Sequence, residues 1–258
     1  MGPAIFAHKN SFMRKLFVIV LAIMTAFPSF SQEVPTVEEP KKKKTFDLAN
    51  RAADHFMVQL ALNSWQGAPD SISSRIKGFQ RSANVYIMLD KPFKGNPRFS
   101  IAAGIGVGTG NIYFKRMIVD IGSSNPILPF RAVDSTDNYK KFKVSTAFLE
   151  VPLEFRFTAD PSTPNKTFKA AIGAKIGTLL NAHSKGKGLQ TATGQSINSK
   201  IVKESTKSYF NSTRLAATAR VGYGNFTLFG AYSLTGLFKD GVAPDIKTLQ
   251  VGLTFSGL

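Results

Sequence analysis

The residues of this chain whose types could do chemistry are charged side chains spaced two and four apart. Glu150, Glu154 and Arg156 share one parity in a stretch that alternates polar and apolar residues. On an extended strand, carboxylates at i and i+4 stand about 13 Å apart, too far for the acid and nucleophile of a glycosidase. Lys169 and Lys175 hold polar positions in the next such stretch, and Arg220 in a later one. Charges inside a narrow fold need partners, so this pattern points to an interior ion-pair cluster of Glu150, Glu154, Arg156, Lys175 and Arg220. A turn centred near Ser162–Thr163 sets Glu150 opposite Lys175 with Arg220 close by. A slip of two residues would bring Glu154 or Arg156 into that role.

Other chemistries find little support. Cys is absent, which removes disulfides, thiolate metal sites and cysteine nucleophiles. His8, His55 and His183 are too scattered for a histidine metal site. His183 and Ser184 are adjacent, and neighbours on a strand point to opposite faces, so they cannot act together as base and nucleophile. Gly104-Ile-Gly-Val-Gly-Thr-Gly110 imitates a phosphate loop, but no Lys-Ser/Thr follows. No catalytic residue, metal or cofactor is expected, and the chain reads as non-enzymatic.

The elements that must position these residues begin after an export signal. Met13-Arg14-Lys15 precedes an apolar run of 11 residues, Leu16 to Ala26, then Pro28, Ser29 and Ser31. That is a signal peptide over 1–31, with 1–12 as an upstream start extension and cleavage after Ser31. The run is too short to span a membrane. The whole chain carries a formal +17, and removing residues 1–31 takes away Lys9, Arg14 and Lys15 and no acid, leaving +14. An exported basic chain has no nucleic acid as partner. Residues 32–52, with Lys41 to Lys44, read as a solvated periplasmic linker.

Residues 53–258 alternate with period two. Leu249, Val251, Leu253 and Phe255 share one face, as do Phe226, Leu228, Tyr232 and Leu234, and Leu215, Ala217, Ala219, Val221 and Tyr223. Gly224-Asn225 between the last two runs is a hairpin turn, which sets Tyr223 opposite Phe226. Five earlier runs begin near Phe56, Val85, Phe99, Phe142 and Phe168, making eight strands. Long connections (66–81, 115–141, 185–207, 237–245) interleave with short ones (93–97, 158–166, 224–225). The expected fold is therefore all-β, an eight-stranded antiparallel up-and-down transmembrane barrel of the outer-membrane type. Both termini would be periplasmic and the long loops extracellular. Phe56, Phe99, Phe157, Phe168, Tyr223, Phe226 and Phe255 would form an aromatic girdle at the periplasmic strand ends. Pro152 would mark a bulge or a weakened pairing, and the four glycines of 104–110 would leave room in a narrow lumen. The competing readings are a soluble periplasmic lipocalin-like barrel binding an apolar ligand, and a rim-site lipid hydrolase using His183 or Ser184.

The stretch from Phe142 to Phe157, with Leu149-Glu150-Val151-Pro152-Leu153 at its centre, resembles the signature strand of the PorT-like outer-membrane β-barrel family of Bacteroidota. Ala171-Ile172-Gly173-Ala174-Lys175-Ile176-Gly177 is similar to the strand that follows it. The resemblance implies an integral outer-membrane protein without a cofactor, associated in some members with secretion or gliding assemblies. The chain ends Phe255-Ser-Gly-Leu258 rather than on the aromatic residue common to such barrels. Asp70-Ser71-Ile72 and Asp134-Ser135-Thr136 resemble O-glycosylation sites of exported Bacteroidota proteins.

The loops carry the basic excess: residues 115–143 sum to +3 and residues 185–207 to +4. Lys140, Lys141, Lys185, Lys187, Lys200 and Lys203 are the expected contacts with outer-membrane lipid (lipopolysaccharide phosphates), with a polyanionic ligand or an envelope-protein partner as further candidates.

Overall fold

The computed structural model describes residues 56–256. The expected signal peptide and linker, residues 53–55 and the last two residues lie outside the described residues. The strands are β1 (Phe56–Gln66), β2 (Arg81–Pro92), β3 (Phe99–Phe114), β4 (Met117–Val119), β5 (Phe130–Ala132), β6 (Asn138–Thr158), β7 (Phe168–Gln190), β8 (Ser196–Ser205), β9 (Thr213–Tyr223), β10 (Phe226–Ser233) and β11 (Lys247–Ser256). Eight of them follow the order β6-β3-β2-β1-β11-β10-β9-β7, and β6 pairs with β7 to close the ring. Every pairing is antiparallel between successive barrel strands, with β11 returning to β1. This is the closed up-and-down barrel that the alternation demands.

The wall is apolar outside and polar inside. Phe226, Leu228, Tyr232 and Leu234 are 61%, 60%, 40% and 50% exposed, whereas Gln59, Asn84, Glu150 and Thr254 are buried. A soluble lipocalin-type barrel would carry the opposite arrangement, so that alternative is overturned. At about 3.4 Å per residue and a tilt of about 40°, the run from Phe226 to Leu234 covers about 20 Å of height. At the end with the short turns, Phe168 stands opposite Tyr223, Tyr223 opposite Phe226, and Phe226 opposite Phe255. Phe99 continues the ring of aromatics opposite Phe157, its centroid 5.3 Å away. The Gly224-Asn225 turn needs a left-handed residue at Gly224 (φ 59°), where a Cβ would also come within 2.5 Å of the Asn165 carbonyl oxygen.

The ladder between β3 and β6 breaks opposite Pro152: Ala103 pairs with Leu153 and Gly106 with Glu150, but Gly104 and Ile105 have no partner on β6. A proline cannot donate there, and the weakened pairing expected of it is found. The glycines of β3 stand where Cβ atoms cannot. A Cβ on Gly106 would sit 2.0 Å from the Val85 carbonyl oxygen, and one on Gly108 would sit 2.4 Å from the Glu150 carboxylate.

Three expected long loops contain regular structure, the first being 66–81 with a short helix, Asp70–Ser73. Segment 115–141 holds the β4–β5 hairpin and the start of β6, and segment 185–207 holds the end of β7 and all of β8. β6 and β7 rise beyond the barrel wall because their alternation continues past the apolar band with charged residues facing outward. A bulge accompanies this: Phe148 pairs with Leu179 but Ala147 with Asn181, so Leu180 is an extra residue. Below it Lys175 and Leu179 face inward; above it Ala182 and Ser184 do. The loop end is closed by an apolar cluster including Trp65, Phe114, Phe142, Phe148, Phe210 and Phe238. Trp65 meets Phe114 and Phe238 edge-on at 5.5 and 5.7 Å.

Candidate functional site

The charged interior has two layers, each around one carboxylate. Glu150 projects from β6 into space left by Gly108 of β3 and Gly177 of β7. Its Oε2 lies 3.1 Å from Lys175 Nζ and accepts from the Tyr86 hydroxyl, while its Oε1 accepts from Arg214 Nη2. Lys175 also donates to the Tyr86 hydroxyl oxygen at 3.2 Å, and the Arg214 guanidinium lies 4.2 Å from the Phe148 ring centroid. Four residues further along β6, Glu154 Oε2 accepts from Arg156 Nε at 2.8 Å and from Arg220 Nη2 at 2.9 Å. Asp90 Oδ1 is 3.9 Å from Arg156 Nη1. Gln59, Asn84, Gln250 and Thr254 bridge the other wall: Asn84 Nδ2 donates to Gln59 at 3.1 Å and to Gln250 at 3.2 Å.

The placements differ from expectation in register and membership. Lys175 stands opposite Pro152 and Glu150 opposite Gly177, a shift of two residues. The shift leaves the Glu150–Lys175 pair intact, because the long lysine reaches diagonally, and brings neither Glu154 nor Arg156 to Lys175. Arg220 is not in that layer; it serves Glu154. Arg214 and Tyr86 were missed. Arg214 has the inward parity of Arg220, but it precedes Leu215, where the apolar alternation begins. Tyr86 holds an inward position between Val85 and Ile87, where its aromatic type hid a polar role.

The second candidate region is the outer surface at the loop end. Lys143, Lys185 and Lys203 stand directly opposite one another on β6, β7 and β8, and Lys141 stands opposite Lys187 one step further. The lysines expected in loops are thus on strands. Lys185 and Lys203 share a row, Lys141 and Lys187 another, and Lys140 and Lys200 fall outside both. Lys143 Nζ donates to Asn111 Oδ1 at 2.7 Å and lies 5.7 Å from the Tyr113 ring centroid. Ser145 donates to the same Asn111 oxygen at 2.7 Å. His183, turned outward by the bulge and standing above the apolar band, shares a 2.9 Å hydrogen bond with Asn181. Burial first, then Lys203, Lys143 and Lys185, hold its pKa below the ordinary histidine value. His183 and Ser184 face opposite sides, so no base–nucleophile pair forms; Ser184 is buried.

A closed barrel of eight strands with a polar interior and an apolar belt defines the class of outer-membrane β-barrels. The outer membrane protein beta-barrel domain family matches residues 50–239, and the chain belongs to that family. Among solved structures, the chain is similar to Ail, the attachment invasion locus protein of Yersinia pestis, crystallised in complex with the heparin analogue sucrose octasulfate. The identity is 14%, the match covers 78% of this chain and 95% of Ail, and the TM-score is 0.33. A second Ail structure gives 13% identity, the same coverage and a TM-score of 0.31. No curated protein matches the chain.

Proposed function

We propose that this protein is a sealed, non-enzymatic outer-membrane barrel that works through its outer surface rather than through a pore. Its long connections face the cell exterior and both termini face the periplasm. Its basic loop end, including Lys140, Lys141, Lys185, Lys187, Lys200 and Lys203, contacts lipopolysaccharide phosphates of the outer leaflet. The Leu149–Leu153 strand favours a PorT-like member of the family, and with it a role as a surface-interaction or secretion-assembly component. The observation that carries the reading is the filling of the lumen along its height. Eight strands close around a space that side chains can fill, and here two ionic layers occupy one half and an apolar cluster the other.

Planar bilayers containing the purified protein test it. The expected record shows no steady conductance; a stable large channel in the wild type would overturn the sealed barrel. On intact cells, an added protease should cut between Lys185 and Lys207 and spare 158–166. Cleavage of the short turn alone would invert the orientation.

A further inference from the structure

We infer that the loop-end wall of β3, β6, β7 and β8 is a docking site for the phosphorylated headgroup of an outer-leaflet lipid, centred on Lys143, Lys185 and Lys203. The inference deepens the reading above and rests on its placement of the loop end at the outer leaflet. Height is the first ground. The lysine row stands on the outward face on the loop side of the apolar band, which on this wall comprises Val151, Leu153, Ile176 and Leu180; Lys143 is five residues beyond Phe148, about 13 Å of height at that rise and tilt. A lipid whose acyl chains lie along that band places its headgroup over the intervening polar shelf, and long lysine side chains above it extend toward the phosphates.

Charge is the second ground. Strands lie about 4.8 Å apart, so the three lysines of the row fit within about 10 Å, and like charges directly opposed cost stability unless something neutralises them. Among the described residues, none of the three enters an ion pair. Beneath them Asn111, Ser145 and His183 form a polar shelf across the same strands.

The third ground is the contrast between walls. On the side of β1, β9, β10 and β11, the loop end carries Lys207, Lys239 and Lys247; Lys247 lies 3.9 Å from Asp245 and Lys239 donates to the Ser208 carbonyl oxygen. On the docking side, Phe79 is 74% exposed beside a groove of about 360 Å³ that Lys77, Arg81, Tyr113 and Lys141 also line. An exposed ring among cations, at the edge of the apolar band, suits the boundary between acyl chain and phosphate. What sets the docking side apart is that its lysines are aligned across neighbouring strands.

The test uses the full-length protein in phosphatidylcholine nanodiscs doped with a diphosphorylated glycolipid of the lipid A type, with lipid retained per barrel read by native mass spectrometry. Lys185→Gln with Lys203→Gln should weaken retention by about five-fold for each lysine, and Lys247→Gln should leave it unchanged. Equal loss in both variants, or retention that ignores removal of the lipid's phosphates, overturns the site. So does binding of soluble pyrophosphate or heparin that falls in the double variant while lipid retention stays. The same preparation reports conductance and protease accessibility, so failure of the sealed, outward-facing reading shows separately from failure of this wall.

Discussion

The two halves of the interior are built on opposite rules. Along β6 the same parity faces inward throughout, yet its residues change from Glu150, Glu154 and Arg156 to Phe148, Val144 and Phe142. The outward parity changes in the reverse sense, from Phe155, Leu153 and Val151 to Lys143 and Lys141. Where lipid surrounds the wall, apolar side chains are satisfied outside, and the interior can be charged if every charge is paired. Above the band water surrounds the wall, and the hydrophobic effect drives Phe and Trp inward. The crossover near Phe148 marks the upper limit of the lipid.

The comparison breaks first, and hardest, at Glu150. Replacing Glu150 by Leu leaves Lys175 and Arg214 both without their carboxylate, and should cost about 3–5 kcal/mol in urea unfolding from lipid vesicles. Lys175→Met should cost less, because Arg214 still holds Glu150. Equal costs would mean that the two cations do not share one anion.

The apolar half is tested by Phe238→Ala, expected to cost about 3–5 kcal/mol by opening a cavity among Trp65, Phe130 and Phe210. Bilayer recordings of the variant should still be silent, because the ionic layers remain. Steady conductance would show that the cap alone seals the barrel. Gly108→Ala is a milder probe of the first half: its methyl would press on the Glu150 carboxylate, costing about 1–3 kcal/mol.

Protonation probes the surface. His183 should titrate below the ordinary histidine range, and Lys203→Gln should move it upward, as read by NMR of the imidazole. Because the folded pKa is depressed, His183 penalises the fold only as pH drops through the ordinary histidine value and below. Smallest are the effects of Asp134 and Asp160. The Arg75 hydrogen bond lowers the first carboxylate and the Ser162 and Thr163 bonds lower the second. Their stabilisation is complete above the ordinary carboxylate pKa and is lost as pH falls through the folded value. Salt should erase the Asp134 contribution and spare that of Asp160, measured by comparing Asp→Asn variants in acid unfolding.

The half inside the lipid was legible in the sequence, because alternation and a two-residue turn fix strand, face and partner at once. Tyr223 and Phe226 are the clearest instance. The Glu150–Lys175 register was two residues out because the connection ends in a 3₁₀ turn, Pro164–Lys166, which moves its centre toward β7. The half above the lipid was hidden for a different reason. Trp65, Phe210 and Phe238 come from segments far apart in the chain, and the lysine row exists only once β6, β7 and β8 are aligned. Leu180 sits at the parity of Phe168 and Ile176, so nothing in the local pattern announces that the count restarts there.

That restart imposes a rule on descent. β7 carries a phase shift of a single residue, and everything from Asn181 to Gln190 is read in the new frame. A lineage that lost Leu180 would straighten the ladder and keep His183 and Lys185 outside, whereas one that kept the bulge and lost Asn181 would exchange them for Ser184 and Gly186 on the outer surface in one event. Between Asn181 and Gln190 the extension can grow or shrink only by pairs of residues, while the bulge at Leu180 can be lost singly and the turn at 191–195 can absorb any number. The length differences that relatives carry in this region should therefore be even within the strands and unrestricted at the tip.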